Sequence, residues 1–187
     1  MTARALSLPM AGLLAAVGVL LTYAEMPLPF VPPFMKIDLS DVPAVIGLYA
    51  MGLPAALLIA AVKCLLHLFV SESLGIGEIC NFLVAMVYLS AFRACAPWSK
   101  RAGWAAAILS MTAAAAVLNA AVLLPLYFAA FRIDEAQLLA MTRAAGSPVT
   151  SLSDYLLMVV IPFNLVKGTA VAAVSGLLWK RLAPYFQ

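Results

Sequence analysis

The stretch VPAVIGLYAMGLPAALLIAAVKCLLHLFV, residues 42–70, decides the fold. It is apolar almost throughout and longer than the roughly 20 residues that one membrane-crossing helix needs. Near its middle stands Met51-Gly52-Leu53-Pro54. Gly52 relaxes the backbone and Pro54 lacks an amide donor, so the sequence marks either a kink or a turn between two helices.

Charge decides between the two. Four further hydrophobic stretches cover residues 5–23, 79–92, 104–128 and 155–179. Arg4 precedes the first, Arg93, Lys100 and Arg101 lie between the second and third, and Lys180 and Arg181 follow the last. The positive-inside rule places all three groups in the cytoplasm. They can share that side only if residues 42–70 cross twice. The expectation is an all-α integral membrane protein with six transmembrane helices and both termini cytoplasmic. Its second helix is short: about a dozen residues, or roughly 18 Å, against about 30 Å of hydrocarbon. Either neighbouring helices shield it, or the turn that follows lies somewhat inside the membrane, buried by protein. Ser40 or Asp41 is placed to cap it, with Pro43 in its first turn.

Composition agrees. Of 187 residues, 66% are hydrophobic and 10% charged, and the mean hydropathy is +1.08. Soluble domains carry about 25% charged residues. At this length residues 1–187 make a single transmembrane domain in the cell membrane, with the lipid bilayer as solvent. The net charge of +3 is small, and no basic run is interleaved with aromatics, which argues against nucleic acid as a partner. Cys64, Cys80 and Cys95 are isolated and read as small buried hydrophobes. Thr22-Tyr23-Ala24 makes a poor cleavage site, so the first apolar run reads as a retained helix.

Two long segments face outward, residues 25–40 with four prolines and residues 129–153 with Gly146-Ser147-Pro148. Loops of this length are seldom idle, and a lid over a pocket is one physical use.

Polar residues inside apolar helices are expensive and need a partner, a wet cavity or a ligand. Three pairs sit at helical spacing: Lys63 with His67, Glu78 with Asn81, and Asn164 with Lys167. Plainer readings compete. Lys63 can snorkel to the headgroups, His67 can pack at the interface, Glu78 can complement a helix N-terminus, and Asn81 can bridge helices. Lys167 resists such a reading because it lies deep, just after Pro162, whose missing amide kinks the helix. Asn119 adds another buried amide. With one histidine, no HExxH and no phosphate loop, the chain offers no hydrolytic or metal catalysis and no ATPase. Small residues recur four apart on the first helix, Ala11 with Ala15 and Gly12 with Ala16, a spacing that permits close helix approach.

Three motifs carry a family resemblance: Phe34-Met35-Lys36-Ile37-Asp38-Leu39-Ser40-Asp41-Val42-Pro43, Gly77-Glu78-Ile79-Cys80-Asn81-Phe82, and Ile161-Pro162-Phe163-Asn164-Leu165-Val166-Lys167-Gly168. In these the sequence resembles the riboflavin-specific S components, RibU type, of energy-coupling factor (ECF) vitamin transporters. Cys80 departs from the small residue expected there, and the fifth span offers no matching motif. The resemblance implies a six-helix S-component bundle that is no enzyme, takes riboflavin as a transported ligand rather than a cofactor, and captures it from outside. It further implies a transmembrane coupling subunit and two cytoplasmic ATPase subunits as partners, with Ala11 and Ala15 on the docking face.

For such a ligand, Phe34, Met35 and Tyr127 are candidates for the ring's apolar walls. Asn164 and Lys167 suit its polar edge, and Glu78, Asn81 or Asn119 the ribityl hydroxyls. Residues 34–38, including Lys36 and Asp38, are expected to close over it. Alternative readings are an S component for another vitamin or for a flavin such as FMN, a self-sufficient carrier, and a membrane-embedded enzyme using Glu78, His67 and Lys63.

Overall fold

The computed structural model describes residues 3–71 and 73–186. The side chain of Arg4, on which one end of the charge argument rests, lies outside the described residues. Among the described residues, the regular structure is helical apart from a hairpin of two two-residue strands. The helices are α1 (Ala3–Thr22), α2 (Val42–Met51), α3 (Leu53–His67), α4 (Ile76–Cys95), α5 (Lys100–Leu118), α6 (Leu124–Phe131), α7 (Glu135–Ala144), α8 (Leu152–Tyr155) and α9 (Ile161–Leu182).

Residues 42–70 do break into two helices. Gly52 stands between α2 and α3 with φ +87°, a conformation that L side chains avoid, and Pro54 occupies the first turn of α3 where its missing amide costs nothing. The two helices pack against each other. Gly47 makes that approach possible, since a Cβ there would stand 2.3 Å from Cδ1 of Ile59. With ten residues α2 is about 15 Å long. It is wrapped by protein: residues 42–48 are all buried, and α1, α3 and α9 surround it. Its C-terminal end is fixed by Tyr49, which stacks on Trp179 at 5.0 Å and meets Phe92 edge-on at 5.5 Å. A short helix thus survives in an apolar setting because its neighbours replace lipid.

Among the described residues, four helices suffice by length and composition to cross a membrane, spanning Leu53–Val70, Ile76–Cys95, Lys100–Phe131 and Leu152–Tyr185; Leu8–Thr22 of α1 and Val42–Met51 are shorter apolar stretches. Two of the four are interrupted alike. A π turn at Asn119–Leu123 joins α5 to α6 just before Pro125, and another at Leu156–Val160 joins α8 to α9 just before Pro162. Proline cannot donate to the carbonyl four residues back and clashes with it, and widening the preceding turn relieves both. The fourth helix starts at Ile76, earlier than its apolar run suggests, so Glu78 lies within its first turn.

The second outer segment is not a bare loop. α7 lies within it, opened by a capping box in which Asp134 accepts from the amide of Gln137 and Gln137 accepts from that of Asp134. The first outer segment carries the hairpin, Met26–Pro27 against Lys36–Ile37, antiparallel. Its tip leans on the second: the amide of Phe30 donates to the carbonyl of Ala145 at 3.1 Å, and the Ser147 hydroxyl donates to the carbonyl of Phe30. Val31 and Met35 pack onto a small separate core containing Leu138, Val149 and Tyr155. The two outer segments therefore form one cap.

At the opposite end, α4 and α5 meet closely. A Cβ on Gly103 would lie 3.0 Å from Cα of Ala96. Gly103→Leu should lower stability by about 1–3 kcal/mol, read as a drop in melting temperature in detergent. Gly176→Leu, at a position with open space, should leave it unchanged or raise it.

Candidate functional site

The polar site is built on one face of α3. Lys63 and His67 stand one turn apart and project toward the first outer segment and the start of α4. Lys63 does not snorkel: it is 2% exposed and points inward. Its ammonium donates to Asp41 Oδ1 at 2.5 Å and to Ser40 Oγ at 3.0 Å. Asp41 does sit at the N-cap of α2, but its carboxylate makes no capping bond because Lys63 claims it.

Lys167 completes the chain of charges. It is 6% exposed. Its Nζ lies 3.0 Å from Asp38 Oδ2, 3.4 Å from Asn81 Oδ1 and 3.7 Å from Asp41 Oδ2. Lys63, Asp41, Lys167 and Asp38 thus alternate in sign, two cations against two anions, and join α3, α2, α9 and the first outer segment. Asp38 Oδ1 also accepts from the amide of Ser40 at 2.8 Å. Burial alone would raise the Asp38 carboxyl; the ammonium of Lys167, then that of Lys63, outweigh it and hold the group below the usual carboxylate range.

A second acid is held nearby. Glu78 Oε1 accepts from His67 Nδ1 at 2.9 Å, and Oε2 accepts from the hydroxyls of Ser71 at 2.8 Å and Ser73 at 2.7 Å. Between the two groups lies a cavity of about 140 Å³, bounded by Thr22, Glu25, Asp38, Lys63, Cys64, His67, Gly77, Glu78 and Asn81. The C-terminal ends of α1 and α3, the first turns of α4 and the first outer segment enclose it. At its rim Lys36 pairs with Glu25.

The predicted residues are distributed unevenly. Asp38, Glu78 and Asn81 line this cavity, and Lys167 stands directly behind the first and last of them. Tyr127, Met35, Asn119 and Asn164 do not border it. Tyr127 meets Phe34 edge-on at 6.1 Å, and Met35 accepts from the Tyr155 hydroxyl at 3.3 Å. Asn164 donates to the carbonyl of Val160 and Asn119 to that of Ala115, both at 2.8 Å, each beside a π turn.

Sequence reasoning undervalued Asp41, and it missed Ser71 and Ser73. The demand of two buried lysines for two nearby acids was the available signal for Asp41. Ala11 and Ala15 require a correction. They are 4% and 1% exposed and pack into the chain's own core. The pair one residue along, Gly12 and Ala16, faces outward together with Leu8, Leu13 and Leu20.

Residues 7–178 match the family described as ECF transporter, substrate-specific component. The chain is 31% identical to the riboflavin transporter RibU of Staphylococcus aureus (strain TCH60), over 94% of this chain and 89% of that one. It is 26% identical to the riboflavin transporter FmnP of Bacillus subtilis (strain 168), over 94% and 90%. A solved structure described as the S component of a bacterial ECF transporter superposes with a TM-score of 0.77 at 29% identity, covering 98% of this chain and 99% of that one. The chain belongs to the substrate-specific components of ECF transporters.

Removing one member of a buried ion pair strands the other. Lys63→Met should therefore cost about 3–5 kcal/mol of stability, and adding Asp41→Asn should restore part of it, both read by thermal unfolding. For Asp38 the folded-state pKa lies below its ordinary value of 3.8. Its contribution to stability is therefore complete above that value and is lost as pH falls through the folded one. Protease access to residues 28–38 should rise only below about pH 4, and Asp38→Asn should abolish that acid dependence.

Proposed function

We propose that this substrate-specific component captures riboflavin from the outer side of the membrane and delivers it to partner modules that drive uptake with ATP. The observation that carries this reading is the enclosed polar cavity beneath the first outer segment, in a chain matching riboflavin transporters almost end to end. At about 140 Å³ the cavity is smaller than the roughly 300–1,000 Å³ of sites that hold a whole drug-sized ligand. A flavin is therefore admitted when the first outer segment gives way and residues 34–38 close again over it.

In this reading the ring lies against Phe34, Met35 and Tyr127, toward the small outer core. Lys167 donates to the ring's polar edge by exchanging Asn81 for a ligand acceptor, while Asp38 and Asp41 keep its charge balanced. Asn164 and Asn119 each give one amide N–H to their own helix; the second N–H and the side-chain carbonyl serve a ligand. Asn81 and Glu78 receive the hydroxyl-bearing chain, and Lys36 with Glu25 forms the outer latch.

The same arrangement supports a membrane topology. Six crossings are proposed: α1, α2, α3, α4, the α5–α6 helix and α9, with both termini cytoplasmic. The cavity and both outer segments lie at one end of the bundle. Arg93, Lys100 and Arg101 stand at the other, beside a Trp98 that is 82% exposed, as a headgroup anchor would be. The proposed partners are a transmembrane coupling subunit and two cytoplasmic ATPase subunits. The docking face assigned to α1 is Gly12 and Ala16, flanked by exposed leucines, because Ala11 and Ala15 are spent on the core.

Riboflavin added to the purified protein should lose fluorescence saturably, and Lys167→Ala should weaken binding at least tenfold. Unquenched flavin overturns the function, and an unchanged Lys167→Ala affinity removes that residue from the site. Gly12→Leu should abolish co-purification of the ATPase and coupling subunits while riboflavin affinity persists. Retained co-purification would move the docking face elsewhere.

A further inference from the structure

Of the polar pair on α3, the ion network uses only Lys63. His67 serves a different acid. Its Nδ1 donates to Glu78 Oε1 while the Ser71 and Ser73 hydroxyls donate to Oε2, so protein donors occupy three of roughly four acceptor positions on that carboxylate. The two hydroxyls are themselves aimed. Ser73 Oγ accepts from the amide of Gly77 at 3.0 Å, and Ser71 Oγ accepts from the amides of Gly75 at 3.0 Å and Ser73 at 3.1 Å. Backbone amides thus take the oxygen lone pairs, and the hydroxyl protons are left for Glu78.

Donors on both oxygens fix the direction in which the carboxylate points. Glu78 borders the cavity, so a ligand donor can reach its carboxylate there. Its neighbours in that wall, Asn81 and Asp38, are polar. The rings of Phe34, Tyr127 and Phe131 pack together beside that wall, with the Tyr127 hydroxyl close to Gly77. A flat ring needs apolar walls, whereas a hydroxylated chain both donates and accepts.

We infer that His67 is a positioning residue which, with Ser71 and Ser73, aims the Glu78 carboxylate at a hydroxyl of the ligand's polyol chain. This rests on the riboflavin reading above. In this role His67 acts through Glu78. The edge of Tyr23, 6.2 Å away, packs against the imidazole and keeps its ring in place.

The test compares riboflavin with lumiflavin, which keeps the ring and lacks the ribityl chain, by fluorescence titration of the full-length protein. His67→Ala should weaken riboflavin about tenfold and leave lumiflavin unchanged. His67→Asn, whose amide nitrogen stands where Nδ1 does, should restore most of the loss. In a Glu78→Gln background the effect of His67→Ala should largely vanish, because the two act as one unit. Equal weakening of both ligands, or no weakening of riboflavin, overturns the inference. If His67→Ala does not fold, His67→Asn against His67→Gln makes the same comparison, since the longer amide overshoots the Nδ1 position; equal riboflavin affinities overturn it. Wild-type protein that binds neither flavin refutes the riboflavin reading itself. Wild-type protein that binds both equally tightly refutes only the polyol contact.

Discussion

The structure depends on keeping two ammonium groups charged inside an apolar bundle. An isolated charge there is strongly disfavoured, and only close pairing with good geometry offsets its lost hydration. Lys63 and Lys167 meet this demand by sharing Asp41 and Asp38, so four charges from four parts of the chain are spent on one another. Both acids come from the stretch that leads into α2. The short helix and the first outer segment are therefore placed by electrostatics at one end and by the Tyr49–Trp179 stack at the other.

This arrangement explains how a binding component can be rigid and still open. The bundle core is closely packed, with Gly47 and Gly103 at close helix approaches. Apart from Val31 and Met35 on the small outer core, the first outer segment is held by polar contacts: Lys36 with Glu25, Asp38 with Lys167, and the Phe30 backbone with Ala145 and Ser147. Such contacts exchange readily with water or with a ligand's own groups, whereas interdigitated side chains do not. Because the tip also leans on α7, displacement of the first outer segment disturbs the second.

Legibility from sequence varied with the distance over which each cause acts. The break at Gly52 and Pro54 is local chemistry and was readable. So was α7 in principle, since Asp134-Glu135-Ala136-Gln137 carries a capping signature that a loop reading passed over. The three polar pairs stood out as costly groups in apolar helices, but their partners did not. Lys167 finds Asp38 across 129 residues and Asn81 across 86, and no spacing rule spans such intervals. The choice between Ala11–Ala15 and Gly12–Ala16 was equally hidden. The two stripes are one residue apart, about 100° around the helix, and only the packed bundle reveals which one its core consumes.

The sequence by itself determined that the chain is an apolar helical bundle, where its longest run divides, which ends carry positive charge, and that its few buried polar groups must matter. These follow from local propensity, hydropathy and the cost of burying charge. Only the tertiary structure decided which acid answers which base, that His67 serves Glu78 while Lys63 serves Asp41, and that the two outer segments form one cap. Those outcomes depend on distances between segments far apart in the chain, set by how the helices pack around the short α2.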